Sequence, residues 1–206
     1  VTGAEAELWQ KFLASVGGRH VTYAPYTDAP MVTASEKVFG RAEAPLFSLK
    51  GADCVVSLGA QFLDTWGDVT ANARAYADMR TVHDGHRGKH FQLESRISGT
   101  GANADQVMYA RPGSKTMIAL ALLKELAGSA ATLSDADRAA VDALTSGVST
   151  GQAAAAAGLE GKDLEHLAEA LGEPSAALVL PAEQLELAGD STVHHAAVLL
   201  LNKVLG

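Results

Sequence analysis

The sequence predicts a doubly wound α/β fold, a parallel sheet with helices on both faces, carrying a small helical annex. Three observations predict it. Runs of strand length recur at 53–58, 89–94, 106–109 and 176–180. Helical stretches alternate with them, the order of a parallel sheet rather than of hairpins. A strandless, Ala-rich stretch over 129–172 is punctuated by Gly147, Gly158 and Gly161.

Taken in order, Leu8, Phe12, Leu13 and Val16 sit at helical spacing within 4–16, and Gly17-Gly18 stops that helix. His20-Val21-Thr22-Tyr23 reads as a short strand, Pro25, Asp28 and Pro30 as a loop, and 32–39 as a helix ended by Gly40. The clearest strand is Asp53-Cys54-Val55-Val56-Ser57-Leu58, closed by Gly59. A helix follows over 69–79, then a polar loop, His83-Asp84-Gly85-His86-Arg87-Gly88. Lys89-His90-Phe91-Gln92-Leu93-Glu94 and Gln106-Val107-Met108-Tyr109 are the next strands. Arg111-Pro112-Gly113-Ser114 opens a helix over 116–126, apolar nearly all round and so expected to be buried on two sides. Three short helices fill 129–172, with Ser134 as an N-cap. Ala176-Ala177-Leu178-Val179-Leu180 returns as a buried strand, and a helix from His194 to Leu205 closes the chain. The expected divisions are therefore 1–128 for the first part of the α/β domain, 129–172 for the annex, and 173–206 for the return strand and closing helix.

Composition limits the partners. Of 206 residues, 48% are apolar and 19% charged, enough for a core and against disorder. A net charge of −8 disfavours nucleic acid and an anionic membrane surface. The single cysteine, Cys54, allows no intrachain disulfide and no iron–sulfur cluster; within Cys54-Val55-Val56 it reads as a buried, inert thiol. No run has the length of a membrane span, and no signal-peptide pattern is present. The start at Val1 and the stop at Gly206, directly after an apolar helix, lead us to expect that both ends are cuts.

Several motifs fail on their chemistry. Gly99-Thr100-Gly101-Ala102-Asn103-Ala104 matches a dinucleotide pattern. That pattern needs a helix opening on it and an acidic residue ending a strand some 20 residues on, and neither is expected. Residues 153–171 resemble a helix-turn-helix, but the second helix would present Asp163, Glu165 and Glu169 to DNA. His83, Asp84 and His86 suggest a solvated turn more than a metal site, and His194 and His195, as helix neighbours, point apart. No nucleophile elbow is present, and no catalytic or metal-ligating residue is assigned.

What remains is positional. Ligands of open parallel sheets bind beyond the carboxyl ends of the strands. Three segments leave such ends: Gly59-Ala60-Gln61-Phe62, Glu94-Ser95-Arg96, and Arg111-Pro112-Gly113-Ser114-Lys115. In that order, and with Thr100-Gly101-Ala102-Asn103-Ala104-Asp105 between the last two, they resemble the molybdopterin oxidoreductase family of the dimethyl-sulfoxide-reductase and formate-dehydrogenase type. The family has a Gly-rich turn ending in Asn-Pro, then Asp-Pro-Arg, a Thr-x-x-x-Ala-Asp run and a Pro-Gly-Thr-Asp helix start. Gln152-Ala153 through Leu167-Ala168 and Leu201-Asn202-Lys203-Val204-Leu205-Gly206 resemble its later elements, so the likeness runs from about Leu8 to Gly206.

The resemblance implies a Rossmann-like domain that holds the guanosine end of a molybdopterin guanine dinucleotide. Its cofactor-binding candidates are Gly59, Ala60, Gln61, Phe62, Glu94, Ser95, Arg96, Thr100, Asp105, Pro112, Gly113, Ser114 and Lys115. Three departures weaken that site. Lys115 stands where the family's helix-start Asp accepts from the guanine edge, and an ammonium only donates. Gln61-Phe62 replaces Asn-Pro and Glu94-Ser95 replaces Asp-Pro. Gly59 through Trp66 is most similar to the large subunit of alternative complex III and related quinone-linked complexes, a branch in which some members keep the fold without the molybdenum cofactor. Complex I shows the same retirement of the fold into a structural role.

The expectation is a cofactor-free structural domain, not catalytic by itself, within an oxidoreductase subunit. Its implied partners are the rest of that subunit and iron–sulfur and quinone-linked membrane subunits, on the periplasmic or outer face of a bacterial inner membrane. The competing readings are a working cofactor domain of a molybdenum enzyme and a free-standing α/β binding protein.

Overall fold

The computed structural model describes residues 3–21, 23, 27–82, 84–128, 133–173, 176–184, 187 and 191–206. Its elements run α1 (Gly3–Ser15), α2 (Ala29–Phe39), β1 (Cys54–Ser57), α3 (Val69–Arg80), β2 (Lys89–Glu94), α4 (Gly99–Ala102), β3 (Gln106–Tyr109), α5 (Lys115–Ala127), α6 (Asp135–Thr145), α7 (Thr150–Ala157), α8 (Gly161–Gly172), β4 (Ala177–Leu180) and α9 (Thr192–Leu205). The four strands form one sheet in the order β3-β2-β1-β4, every pair parallel. This is the expected α/β architecture.

Alternation along the strands divides the interior in two. Cys54, Val56 and Leu58, with Phe91, Leu93 and Val179, face a large cluster built with α5, α7, α8 and α9. Val55 and Leu180 face a smaller one with Leu49, Phe62, Tyr76 and Met79. Helix α5 is buried without a break from Ile118 to Leu123, as its all-round apolar character predicts. The annex shares this core, because Val141, Ala153, Leu164 and Leu171 pack into the same cluster as Val56 and Phe91. Ser134 caps α6 by accepting from the Asp137 amide at 3.1 Å. Burial pushes the Cys54 thiol up to about 11, the inert thiol expected.

Three local expectations need correction. His20, Val21 and Tyr23 form no strand, and Thr22 and Pro25 lie outside the described residues. Val21 and Tyr23 are largely exposed, so this run has neither ladder nor core to hold it. Helix α2 begins earlier than 32, with Pro30 in its first turn, where a missing N–H costs nothing. Gly99–Ala102 is a single helical turn where no helix was expected. Helix α1 forms where expected but buries no residue, and Leu8, Trp9 and Phe12 are exposed.

The closing helix is tied to the sheet by one side chain. Asn202 accepts from the Val179 amide and donates to the Val179 carbonyl, both at 2.8 Å. Its amide thus completes the free side of edge strand β4. Asn202→Leu leaves both backbone groups without those bonds and should lower stability by about 2–4 kcal/mol in urea unfolding. A change under about 0.5 kcal/mol would show that water replaces the amide without loss.

Candidate functional site

Beyond β1, Gly59 adopts φ 118°, which only glycine takes without strain, and turns the chain across the sheet end. The turn is closed on itself. The Ser57 hydroxyl donates to the Ala60 carbonyl at 3.0 Å and accepts from the Gly59 amide at 3.3 Å. The Gln61 carbonyl accepts from the amides of Asp64, Thr65 and Trp66. Phe62 is fully buried, its ring 5.0 Å from that of His90 and 5.7 Å from that of Tyr76.

The face of β2 opposite Phe91 and Leu93 carries His90, Gln92 and Glu94, all buried. The Gln92 side-chain amide donates to Ala60 O at 3.3 Å, so its Oε1 accepts from His90 Nε2 at 3.1 Å. Burial pushes the His90 imidazole down to about 4, so it is neutral at pH 7. Glu94 is 2% exposed and accepts from the Ser98 amide at 3.0 Å and the Ser98 hydroxyl at 2.7 Å. The same hydroxyl accepts from Gly101 N at 2.9 Å and caps α4.

This arrangement explains the glycine pattern at 99–104. A Cβ on Gly101 would meet the Glu94 carboxylate, so Gly101 makes room for a protein carboxylate rather than for pyrophosphate. Thr100, fully buried, donates from N and Oγ1 to Asp64 Oδ2 at 2.8 and 3.0 Å and accepts from Leu63 N at 3.1 Å. The turns after β1 and β2 are thereby joined.

Beyond β3, the Ala110 amide donates to the Glu94 carbonyl, and the Ser95 hydroxyl donates to the Ala110 carbonyl at 3.0 Å. Pro112 and Gly113 form an exposed turn, and Ser114 is buried, donating to Arg111 O at 2.6 Å. Lys115, the first residue of α5, is 0% exposed. Burial pushes its ammonium down to about 8, against the opposing pull of the Glu94 and Glu183 carboxylates.

Glu183, which the three-segment reading omitted, belongs to this group. It follows β4 and accepts from Gln61 N at 3.2 Å and Thr65 Oγ1 at 3.1 Å. The rule that selected the other three exits, the carboxyl end of a parallel strand, also applies after Leu180 and could have found it. Gly59, Ala60, Gln61, Phe62, Glu94, Thr100, Ser114 and Lys115 thus gather at one end of the sheet. Ser95, Arg96, Pro112 and Gly113 lie there with exposed side chains or backbone.

Asp105 does not join them. It precedes β3 at the opposite end, pairs with Arg80 and Arg87, and accepts from His90 N at 2.8 Å. Among the described residues no group of three His, Cys, Asp or Glu could hold a metal, and His83 lies outside them. The rings of His194 and His195 stand 5.5 Å apart at 75°, and His194 Nε2 accepts from Ala182 N. A cavity of about 1380 Å³ adjoins the group, reaching it at Thr65, Trp66 and Glu183, and is otherwise walled by residues such as Phe47, Leu49, Ala75 and His195. Lys115 and Glu94 do not line it.

No family model matches the sequence. The menaquinone reductase molybdopterin-binding-like subunit of Nitratidesulfovibrio vulgaris is 26% identical over 204 residues, which are 99% of this chain and 29% of that protein. Acetylene hydratase from Pelobacter acetylenicus superposes with a TM-score of 0.64 at 13% identity, over 86% of this chain and 24% of its own. A match along nearly the whole chain to a molybdopterin-binding-like subunit agrees with the motif order. The chain resembles the molybdopterin oxidoreductase type. It spans less than a third of the length of either relative.

The polar groups gathered here are largely committed to one another and not to the guanine dinucleotide that the resemblance implies. Amides that would face a pyrophosphate are committed inward: Gly59 N to Ser57, Gln61 N to Glu183, Leu63 N to Thr100. Glu94, which could accept from a base, is committed to Ser98. By the resemblance, Lys115 stands where guanine would present donors, and its ammonium adds another donor.

Two measurements test this geometry. A lysine pushed down to about 8 from 10.5 is less protonated in the folded chain than in the unfolded one over that interval, so stability rises with pH there. The gain is about 3 kcal/mol, read as the difference between wild type and Lys115→Met so that Cys54, which acts oppositely, cancels. Identical pH profiles for the two would contradict a depressed lysine. Gly101→Ala should cost roughly 1–3 kcal/mol despite alanine's better helix propensity. Equal stability would mean that Glu94 can move aside freely.

Proposed function

We propose that this chain is a structural domain of the large subunit of a quinone-linked respiratory oxidoreductase, retaining the nucleotide fold with its guanosine site closed. The carrying observation is Lys115, fully buried at the first residue of α5 where relatives of the family place an acceptor for guanine. The identity of the Nitratidesulfovibrio protein, a menaquinone reductase subunit described as molybdopterin-binding-like, supports the quinone-linked branch. On this reading the chain has no redox chemistry of its own. It reaches the membrane through partner iron–sulfur and quinone-linked subunits, on the periplasmic or outer face of a bacterial inner membrane. Among the described residues no helix is long and apolar enough to cross a membrane.

A working molybdenum enzyme is the second reading, favoured by the retained convergence of the turns after β1, β2 and β3. Calorimetric titration of the chain with GMP or GDP separates the two. The closed site predicts no binding at millimolar nucleotide, and a Kd in the micromolar range would refute it. Metal analysis of the longer subunit adds an independent reading, with about one molybdenum or tungsten per chain pointing to the working enzyme.

A further inference from the structure

We propose that the cavity of about 1380 Å³ bounded by α2, α3 and α9 is a binding site for a neutral aromatic ketone, whose oxygen is held by the His195 imidazole. Neither Lys115 nor Glu94 lines this cavity, so the site stands whether or not the crevice takes a nucleotide. Met31, Phe47, Leu49, Trp66 and Ala75 supply an apolar wall. Within it the rings of Phe47 and Trp66 stand 5.7 Å apart at 56°, presenting both face and edge to an aromatic guest. The volume exceeds the roughly 300–1,000 Å³ of common small-molecule pockets, so a molecule of two fused rings fits with room to spare.

An apolar wall alone would not call for a ligand, but one polar group on it is unsatisfied. Asn72 and His195 are the lining polar side chains that are more than nine-tenths buried among the described residues. Asn72 is committed, donating to the Trp66 carbonyl at 3.1 Å. The His195 imidazole, 5% exposed, makes no hydrogen bond among the described residues. Its Nδ1 is sealed from solvent, so Nε2 is the nitrogen left to reach the cavity. A proton on the sealed Nδ1 would be a buried donor without an acceptor, the costlier of the two orphan states. The proton therefore belongs on Nε2. Burial pushes this imidazole down to about 4, so at pH 7 it is neutral and offers the cavity one N–H.

Charge narrows the guest further. Asp28, Asp68, Asp78 and Glu183 line the cavity against Lys50 and Arg74, four carboxylates to two cations, which disfavours an anion. The three aspartates are exposed, and Glu183 is already shared between Gln61 N and Thr65. A cation drawn inward would leave that acidic rim and meet an N–H, which only an acceptor satisfies. The molecule that fits is uncharged, aromatic and carries one acceptor oxygen.

The test is a nuclear magnetic resonance titration of the nitrogen-15-labelled 206-residue chain at pH 7, read at the Trp66 indole N–H. Trp9→Phe tells the two indole signals apart, since Trp9 lies on α1, where no residue is buried. The probe is 1-tetralone, two fused rings with one carbonyl; tetralin, the same skeleton without oxygen, and 1-naphthoate, an anion, are the controls. The ketone should shift the Trp66 signal saturably, with a Kd about three- to tenfold below that of tetralin, and naphthoate should not bind. His195→Phe keeps a ring of similar size and should raise the ketone's Kd to that of tetralin. Should that variant fail to fold, Ala71→Phe, at an exposed lining position of α3, should abolish saturation by the ketone. Equal affinity for ketone and tetralin in wild type, a ketone affinity unmoved by His195→Phe or by Ala71→Phe, or no saturable shift overturns the proposal. A missing shift together with a dimer in sedimentation velocity assigns the cavity to a second copy of the chain instead. Competition by GMP would merge this site with the crevice and overturn the proposal equally.

Discussion

A buried ammonium must be met by negative charge, and this requirement organises the carboxyl end of the sheet. Lys115 is fully buried there, and burial lowers its pKa against the opposing pull of the Glu94 and Glu183 carboxylates. Glu94 in turn needs Ser98, whose hydroxyl caps α4, and Gly101, which leaves space for the carboxylate. Glu183 needs the turn after β1, whose Gln61 amide and Thr65 hydroxyl donate to it. The exits of β1, β2 and β4 and the start of α5 are thus parts of one electrostatic arrangement, and altering any one leaves a charge less well matched.

The same arrangement sets the character of β2. Its inward positions alternate between Phe91 and Leu93 on the large apolar cluster and His90, Gln92 and Glu94 on the other face. A polar row inside a protein is tolerated only when its members satisfy one another. Here the row runs from His90 through Gln92 to Glu94, with the Ala60 carbonyl as a further acceptor. The polar row therefore positions the candidate site, while stability comes from the opposite face.

That division lets the fold be kept independently of the site. The large cluster joins Val56, Phe91, Ile118, Leu164, Leu167 and Val198 without using any residue of the crevice other than its neighbours in sequence. Acetylene hydratase shares the fold at 13% identity, which is what a core defined by volume and pattern permits. Site chemistry depends instead on single side chains: an ammonium such as that of Lys115 only donates, where a carboxylate only accepts.

The sequence alone marked strands at 53–58, 89–94, 106–109 and 176–180, observed at 54–57, 89–94, 106–109 and 177–180, and most of the helices between them, because period and turn residues are local signals. It also marked the exits where Glu94 and Lys115 stand, since strand ends follow from strands. It misjudged the run at His20, Val21 and Tyr23, where propensity without a neighbouring edge makes no strand, and grouped Asp105 with residues at the far end of the sheet. Only the tertiary structure decided that Glu183 enters the group, that Gly101 serves Glu94, and that Lys115 is covered rather than extended into water. These are facts about which carboxylate meets which amide across 122 residues of chain, and burial and charge pairing at that separation leave no periodicity to read.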